Sequence, residues 1–237
     1  MKTTSTSKEL TLQLADTTSF TTNLSVDFVT ADQIGVSYNT MPGNQPNTYG
    51  NFLALWQNQD TIPWNQAPLK TFPIQTNTQA GSAAFNGLDV TNNSYVIGYS
   101  VGPVLTQGEQ YGNICATAFI PAVGTQSNST TFSSSLTIVS IGTTSVAFNY
   151  ELPANSTPLA NTAWCGIWRS SVPSYNNPPD ATIPVTLNAS SGTLAFNDFP
   201  IGRGLTYTIA LFTSGWQGFG MPNNQKAMAC SVTFTNS

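Results

Sequence analysis

The segment Ile34-Gly-Val-Ser-Tyr38 alternates apolar residues with small or polar ones, and Val146-Ala-Phe-Asn-Tyr150 repeats the pattern 112 residues later. A period of two is typical of a strand with one face on a core and the other in solvent. The correspondence runs without a gap from residues 20–56 to residues 132–168. A repeat of this length is far longer than a solenoid unit, so it predicts two tandem domains, each with its own core.

The same strand periodicity continues along the chain, and no window of ten or more residues shows a helical stripe. The sequence therefore predicts an all-β protein made of two tandem antiparallel β-sandwich domains. The predicted boundaries are 1–121 and 130–237, with a polar linker at 122–129. Alternating leucines at residues 10–14 predict an extra strand, either as an edge of the first domain or the domain seam, or as a strand donated to a neighbouring molecule.

A tyrosine begins a strand directly after a turn in both copies. Tyr207 follows the turn in the run from Asp198 to Phe212, and Tyr95 follows the turn that begins near Val90. This arrangement resembles the tyrosine corner of immunoglobulin-like and fibronectin type III-like domains, whose hydroxyl bonds back to the turn. The resemblance implies Ig-like sandwiches and a structural role for both tyrosines. It extends to fold alone and carries no function.

Charged residues make up only 7% of the chain, and the formal net charge is −4. Binding to nucleic acid or to anionic lipid needs clustered cations. The six lysines and arginines are scattered, so we expect neither nucleic acid nor an anionic lipid surface as a partner. No apolar stretch is long enough for a transmembrane helix. The start of the chain also lacks the apolar segment of a signal peptide, which favours cytoplasmic synthesis or another export route and leaves the localisation unknown.

The three cysteines cannot all be paired within one chain. Cys115 and Cys230 occupy equivalent positions in the repeat, while Cys165 aligns with Leu53. Free, buried thiols are the favoured interpretation, and a Cys165–Cys230 disulfide is the alternative.

Most common catalytic chemistry has no residues to carry it. The chain contains no histidine, no close cysteine spacing for zinc and no phosphate-binding loop, so the sequence predicts neither a metal site nor a cofactor. Paired carboxylates remain, as in glycosidases, but no acid aligns with an acid of the other copy. We therefore expect no enzymatic activity. The ten acids are Glu9, Asp16, Asp27, Asp32, Asp60, Asp89, Glu109, Glu151, Asp180 and Asp198.

Aromatic and amide residues outside the strand pattern are the candidate ligand-binding residues. They occur in one loop before the last strand and in two matched loops, one in each copy. Aromatic faces stack on sugar rings while amides bond to hydroxyl groups, a pattern that favours carbohydrate binding. The candidates are Trp216, Phe219, Asn223 and Asn224 in the first loop, Trp64 and Asn65 in the second, and Tyr175 and Asn176 in the third. Trp56 and Trp168 recur at one strand position, so we expect them to pack in the fold.

These features favour a non-catalytic recognition protein that binds a glycan or a glycosylated surface, with weak sites strengthened by multivalency. The alternative is a structural protein that assembles through strand edges into a filament, coat or inclusion. A membrane-active toxin is the third hypothesis. The sequence leaves open whether the chain forms homo-oligomers.

Overall fold

The computed structural model describes residues 16–123, 125 and 128–236. The predicted strand at residues 10–14 lies outside the described residues, as does part of the predicted linker. The described chain is all β with no helix, which confirms the predicted all-β class. Its strands are β1 (Thr17–Thr21), β2 (Asn23–Val29), β3 (Gln33–Asn39), β4 (Phe52–Gln57), β5 (Lys70–Pro73), β6 (Ala80–Asn86), β7 (Tyr95–Ser100), β8 (Ile114–Ile120), β9 (Thr130–Ser133), β10 (Ser135–Ile141), β11 (Ser145–Glu151), β12 (Trp164–Trp168), β13 (Ala181–Pro184), β14 (Ser191–Asn197), β15 (Thr206–Phe212) and β16 (Met228–Thr235).

The strands form four antiparallel sheets that follow the sequence repeat. The three-stranded sheets have the orders β2-β3-β6 and β10-β11-β14, and the five-stranded sheets have the orders β5-β4-β7-β8-β9 and β1-β16-β15-β12-β13. β2 and β10, which are equivalent in the repeat, also carry a register shift at the same place in their pairing. The repeated sequence thus produces a repeated pattern of strand pairing.

Each three-stranded sheet shares a hydrophobic core with a five-stranded sheet. Ile34 of β3 and Ile97 of β7 belong to one cluster of buried side chains, and Phe148 of β11 and Ile209 of β15 belong to the other. All four side chains are fully buried. The alternation read from β3 and β11 therefore places their apolar side chains in two separate cores.

The first strand of each copy pairs with the other copy. β1 lies beside β16, and β9 lies beside β8, so the two equivalent strands are exchanged across the predicted domain boundary. A single residue, Thr22 or Ser134, separates each exchanged strand from the next strand of its own copy. The two crossing points touch, since the Thr21 hydroxyl donates a hydrogen bond to the Ser134 carbonyl at 2.8 Å.

Both faces of the five-stranded sheets are covered. The sequence pattern predicts a half-buried strand at residues 95–101, but every residue of β7 is buried, so this prediction is wrong. The loops between strands fold back over the outer face, where Val96 packs in a cluster with Trp56 and Ile62. Trp168 packs on the matching face of the other sheet, so the predicted packing role of Trp56 and Trp168 is confirmed.

The two corner tyrosines bond back to the turns that precede them, as predicted. The Tyr95 hydroxyl accepts a hydrogen bond from the backbone N–H of Asp89 at 3.0 Å. The Tyr207 hydroxyl accepts one from the N–H of Gly202 at 2.7 Å and donates to the Pro200 carbonyl at 3.4 Å. These bonds tie each turn to the strand that follows it.

Candidate functional site

Residues 214–226 form an irregular loop between β15 and β16, named here the aromatic loop. Gly215, Gly218 and Gly220 adopt φ values of 104°, 122° and 75°, which disfavour residues with a side chain. The backbone N–H of Asn224 donates to the Gly215 carbonyl at 3.0 Å and closes the base of the loop. Nearer the tip, the Asn223 side chain accepts a bond from the N–H of Gln217 at 2.8 Å.

The tip of the aromatic loop presents apolar side chains to solvent. Phe219 is 76% exposed and Met221 is 59% exposed. Phe219 contacts Trp216 edge to face, with 5.1 Å between the ring centroids. Trp216 is half-buried and packs in turn against Trp164, which is stacked on Phe212 at 4.1 Å. Phe219 is therefore an exposed ring that packs on the half-buried Trp216, which packs in turn on the buried rings of Trp164 and Phe212.

The loop at residues 170–178 supports the aromatic loop from one side. The Gln225 side chain donates hydrogen bonds to the Ser174 carbonyl at 2.6 Å and to the Asn177 carbonyl at 2.9 Å. Tyr175 packs against the same aromatic cluster as Trp216, and its ring stacks on Tyr49 of the first copy at 5.4 Å. Burial raises the pKa of Tyr175, and the neighbouring Cys115 and Tyr49 add to this effect.

A cleft of ≈ 370 Å³ opens at the base of the aromatic loop, between the two copies. Its walls include Ser214 and Asn224, which are at the two ends of the loop, so the exposed tip extends from the rim of the cleft. A second cavity of ≈ 370 Å³ adjoins the cleft and shares Gly50 and Pro103 with it. Cavities of this size accommodate small organic ligands.

The cleft carries polar groups held in fixed positions. The Asn113 side chain accepts hydrogen bonds from the hydroxyls of Thr213 at 2.9 Å and Ser214 at 2.7 Å, and it donates to the Pro103 carbonyl at 2.8 Å. Lys226 lies over the Tyr49 ring, with its Nζ 5.9 Å from the centroid. Among the described residues Lys226 forms no ion pair, and the only salt bridge joins Arg169 to Asp180.

The structure thus gathers six of the eight predicted ligand-binding residues in one region. Phe219, Asn224 and Asn176 are exposed there, whereas Trp216, Asn223 and Tyr175 are half-buried. The other two candidates belong to a different cluster.

Trp64 packs on the outer face of the first five-stranded sheet, and the next residue, Asn65, is exposed. Trp64 is 7% exposed, and its indole N–H donates to the Ala154 carbonyl of the second copy at 3.1 Å. The Asn65 side chain accepts a hydrogen bond from the backbone N–H of Gln110 at 2.9 Å. A buried ring with its N–H already bonded offers little surface to a ligand, so we leave Trp64 out of the proposed site.

Sequence reasoning missed Lys226, Tyr49 and Asn113. The three residues are distant along the chain, and each stands in a loop or at a strand end where no periodicity marks it. The matched loop before β8 provides only Tyr111 as an aromatic residue, so comparison of the two copies gives no signal for them either.

All three cysteines are free and buried, which confirms the favoured interpretation over the Cys165–Cys230 disulfide. Burial raises the pKa of all three thiols, and that of Cys115 rises from the usual 9.0 to about 12. Since the thiolate is the reactive form, a buried thiol that keeps its proton is inert.

We therefore expect no reaction of the folded protein with Ellman's reagent at pH 8, and three reactive thiols in denaturant. An unfolded thiol loses its proton near pH 9, before the folded one does, so the folded state then holds more protons. The free energy of unfolding therefore does not vary with pH through these thiols below pH 9. Between about pH 9 and pH 12 it falls as the pH rises, because only the unfolded state loses the proton of Cys115. Rapid labelling of the native protein by Ellman's reagent at pH 8 would contradict the expected lack of reaction.

Three further features bear on the chemistry of the described residues. No group of three or more His, Cys, Asp or Glu side chains in this part of the chain could hold a metal ion. No helix in the described ranges is long and apolar enough to cross a membrane. Comparison with protein-family models gives no match, and comparison with curated proteins gives none either.

Proposed function

We propose that this chain is a non-catalytic recognition protein that binds carbohydrate or a glycosylated surface through the aromatic loop and the cleft at its base. The observation that carries the proposal is the exposed Phe219 ring, supported by Trp216, at the rim of a cleft with polar walls. A soluble chain gains no stability by leaving a large ring 76% exposed, whereas a binding surface needs one. The complete absence of histidine adds to the argument against catalysis.

In the proposed mode of binding, a sugar ring stacks on Phe219 and a neighbouring sugar enters the cleft. Asn223, Asn224 and Asn176 provide amides on the same side of the molecule for hydroxyl groups. Asn223 and Asn224 already use their side-chain oxygens in bonds to the loop backbone, so their amide nitrogens are turned to donate. Single sites of this kind are weak, and a glycosylated surface would strengthen them by multivalency.

The proposal also includes the type of β-sandwich and the domain bounds that the sequence predicts. We infer that the two copies, at residues 1–121 and 130–237, are Ig-like β-sandwich domains that exchange their first strands. The support is the repeated strand pairing and the two tyrosine hydroxyls bonded to their turns.

The test is a glycan array with the wild-type protein and the variant Phe219→Ala. Loss of the exposed ring should weaken binding about tenfold, which corresponds to about 1.4 kcal/mol. Phe72→Ala is the matched control, because Phe72 is also partly exposed (38%) but lies on β5, away from the aromatic loop. Both variants should keep the wild-type melting temperature within a few degrees, since neither ring is in a core. No binding to any glycan by folded protein would reject the proposal.

Self-assembly through strand edges is the second candidate function. The exposed side chains of Phe20 on β1 and of Phe28 and Val29 on β2 favour it, because both strands are at sheet edges. The register shift in β2 and the four-residue length of β5 and β13 are features that hinder edge pairing. Light scattering across a concentration series separates the two functions, since large species that grow with concentration would favour assembly.

A further inference from the structure

Lys226 is the only charged residue among those that line the cleft and the adjoining cavity. It stands at the end of the aromatic loop, beside Asn224, and its ammonium group has no carboxylate partner among the described residues. Lysines and arginines number only six in a chain whose net charge is −4. An unpaired cation in a neutral cleft is therefore the one strong local charge that a ligand would meet there.

The ammonium group of Lys226, an exposed residue, also lies beside an aromatic ring of the cleft wall. Its Nζ lies 5.9 Å from the centroid of Tyr49, close enough for a cation–π contact. Tyr49 is itself fixed, because its ring is buried and stacked on Tyr175. The charge is therefore placed at the wall of the cleft, next to a buried ring.

The adjoining cavity has a different chemical character. Phe52, Ile74 and Tyr111 provide apolar surface, and no charged residue lines it. Asn51 is 2% exposed and lies in the same wall, and its side-chain nitrogen has no hydrogen-bond partner in the described structure. An anionic group of a ligand would therefore be placed in the cleft, near Lys226, and not in this neutral cavity.

From these observations we infer that the cleft selects saccharides that carry one anionic group, a carboxylate or a sulfate, placed against Lys226. The inference rests on the proposed carbohydrate function and adds the class of ligand to it. A lysine acts as a point charge and presents no fork geometry, so it pairs with either anion. Phe219 then stacks on the neighbouring neutral sugar outside the cleft, and the two contacts together define the acceptable glycans.

The experiment measures the affinity of the full chain for acidic glycans and their neutral counterparts by titration calorimetry. The probes are 3′-sialyllactose and a sulfated lactose, each compared with lactose, and a glucuronic acid disaccharide compared with the equivalent glucose disaccharide. Lys226→Ala removes the charge, and Lys226→Arg retains it. Lys70→Ala is the matched control, because Lys70 is a partly exposed lysine on β5 that lines neither cavity.

We expect tighter binding of the acidic member of at least one pair, weakened about fivefold by Lys226→Ala and retained by Lys226→Arg. Lys70→Ala should leave the affinity for every probe unchanged, and Lys226→Ala should weaken binding of the acidic probe more than binding of lactose. Added salt should reduce the preference for the acidic probe. Equal affinity for acidic and neutral probes, with no effect of Lys226→Ala, would overturn this inference and leave the proposed function standing. Absence of binding to all probes and to the wider glycan array would overturn both. The sialic acid, uronic acid and sulfate arms identify which anion is preferred.

Discussion

Two fragments, residues 1–123 and 124–237, should be unstable alone and should assemble into a 1:1 complex when mixed. Each fragment lacks the edge strand that the other provides, since β1 pairs with β16 and β9 pairs with β8. Each also loses the hydrogen bonds that join the two copies at Glu109 and Asn113. We expect the free energy of unfolding of each fragment to fall by at least about 5 kcal/mol, which is comparable to the whole stability of many domains. Circular dichroism melts of each fragment and of the mixture measure the effect.

A longer fragment provides the control for strand exchange. Residues 1–134 keep β9, which completes the first five-stranded sheet through four residue pairs with β8. If the exchanged strand matters, this fragment should be more stable than 1–123 by about 4 kcal/mol, because four antiparallel residue pairs form about four backbone hydrogen bonds of about 1 kcal/mol each. Equal stability of the two fragments would show that the exchanged strand contributes nothing to the sheet.

Glu109→Ala should lower the free energy of unfolding of the full chain by about 3 kcal/mol. Glu109 is 7% exposed, and its Oε2 accepts hydrogen bonds at 2.8 Å from the backbone N–H of Thr157 and from the Asn161 amide. The Asn161 side chain in turn accepts from the N–H of Glu109 at 2.7 Å. Removing the carboxylate leaves two donors of the second copy without an acceptor, one buried on Asn161 and one partly buried on Thr157, a cost larger than that of a lost exposed bond. Urea denaturation followed by tryptophan fluorescence measures the change.

Two control variants separate hydrogen bonding from charge. Glu109→Gln keeps one oxygen to accept both bonds, so it should cost only about 1 kcal/mol. Glu151→Ala removes an exposed carboxylate and should change stability by less than about 0.5 kcal/mol. A similar small loss in all three variants would mean that the contact between the copies at Glu109 is energetically unimportant.

The sequence alone predicts much of the local structure because the relevant signals are short-range. Alternation at residues 34–38 and 146–150 identifies β3 and β11, and both corner tyrosines bond where the pattern indicates. The prediction was wrong for β7, because the loops that cover the outer face of its sheet come from distant parts of the chain. Alternation in a strand reports one covered face, and it cannot show that another segment covers the second.

The candidate site was predictable only in part for a related reason. Exposed aromatics such as Phe219 stand out in a Gly-rich segment, whereas Trp64 looks equivalent in sequence and is buried. Lys226 and Tyr49 come together where loops of the two copies meet. A charge and a ring 177 positions apart leave no mark in any local window.

By itself, the sequence determined that the chain is all β, that its strand pattern is repeated and that histidine-based chemistry is absent. Only the tertiary structure decided which partner each first strand takes. The segment Phe20-Thr-Thr and its equivalent Phe132-Ser-Ser are so similar that either could pair with β8 or with β16 on local grounds. In the tertiary structure each of these strands crosses to the other copy, and the crossing segments are in contact through the hydrogen bond from Thr21 to Ser134. Pairing of nearly identical strands is a matter of long-range geometry, and no local propensity encodes it.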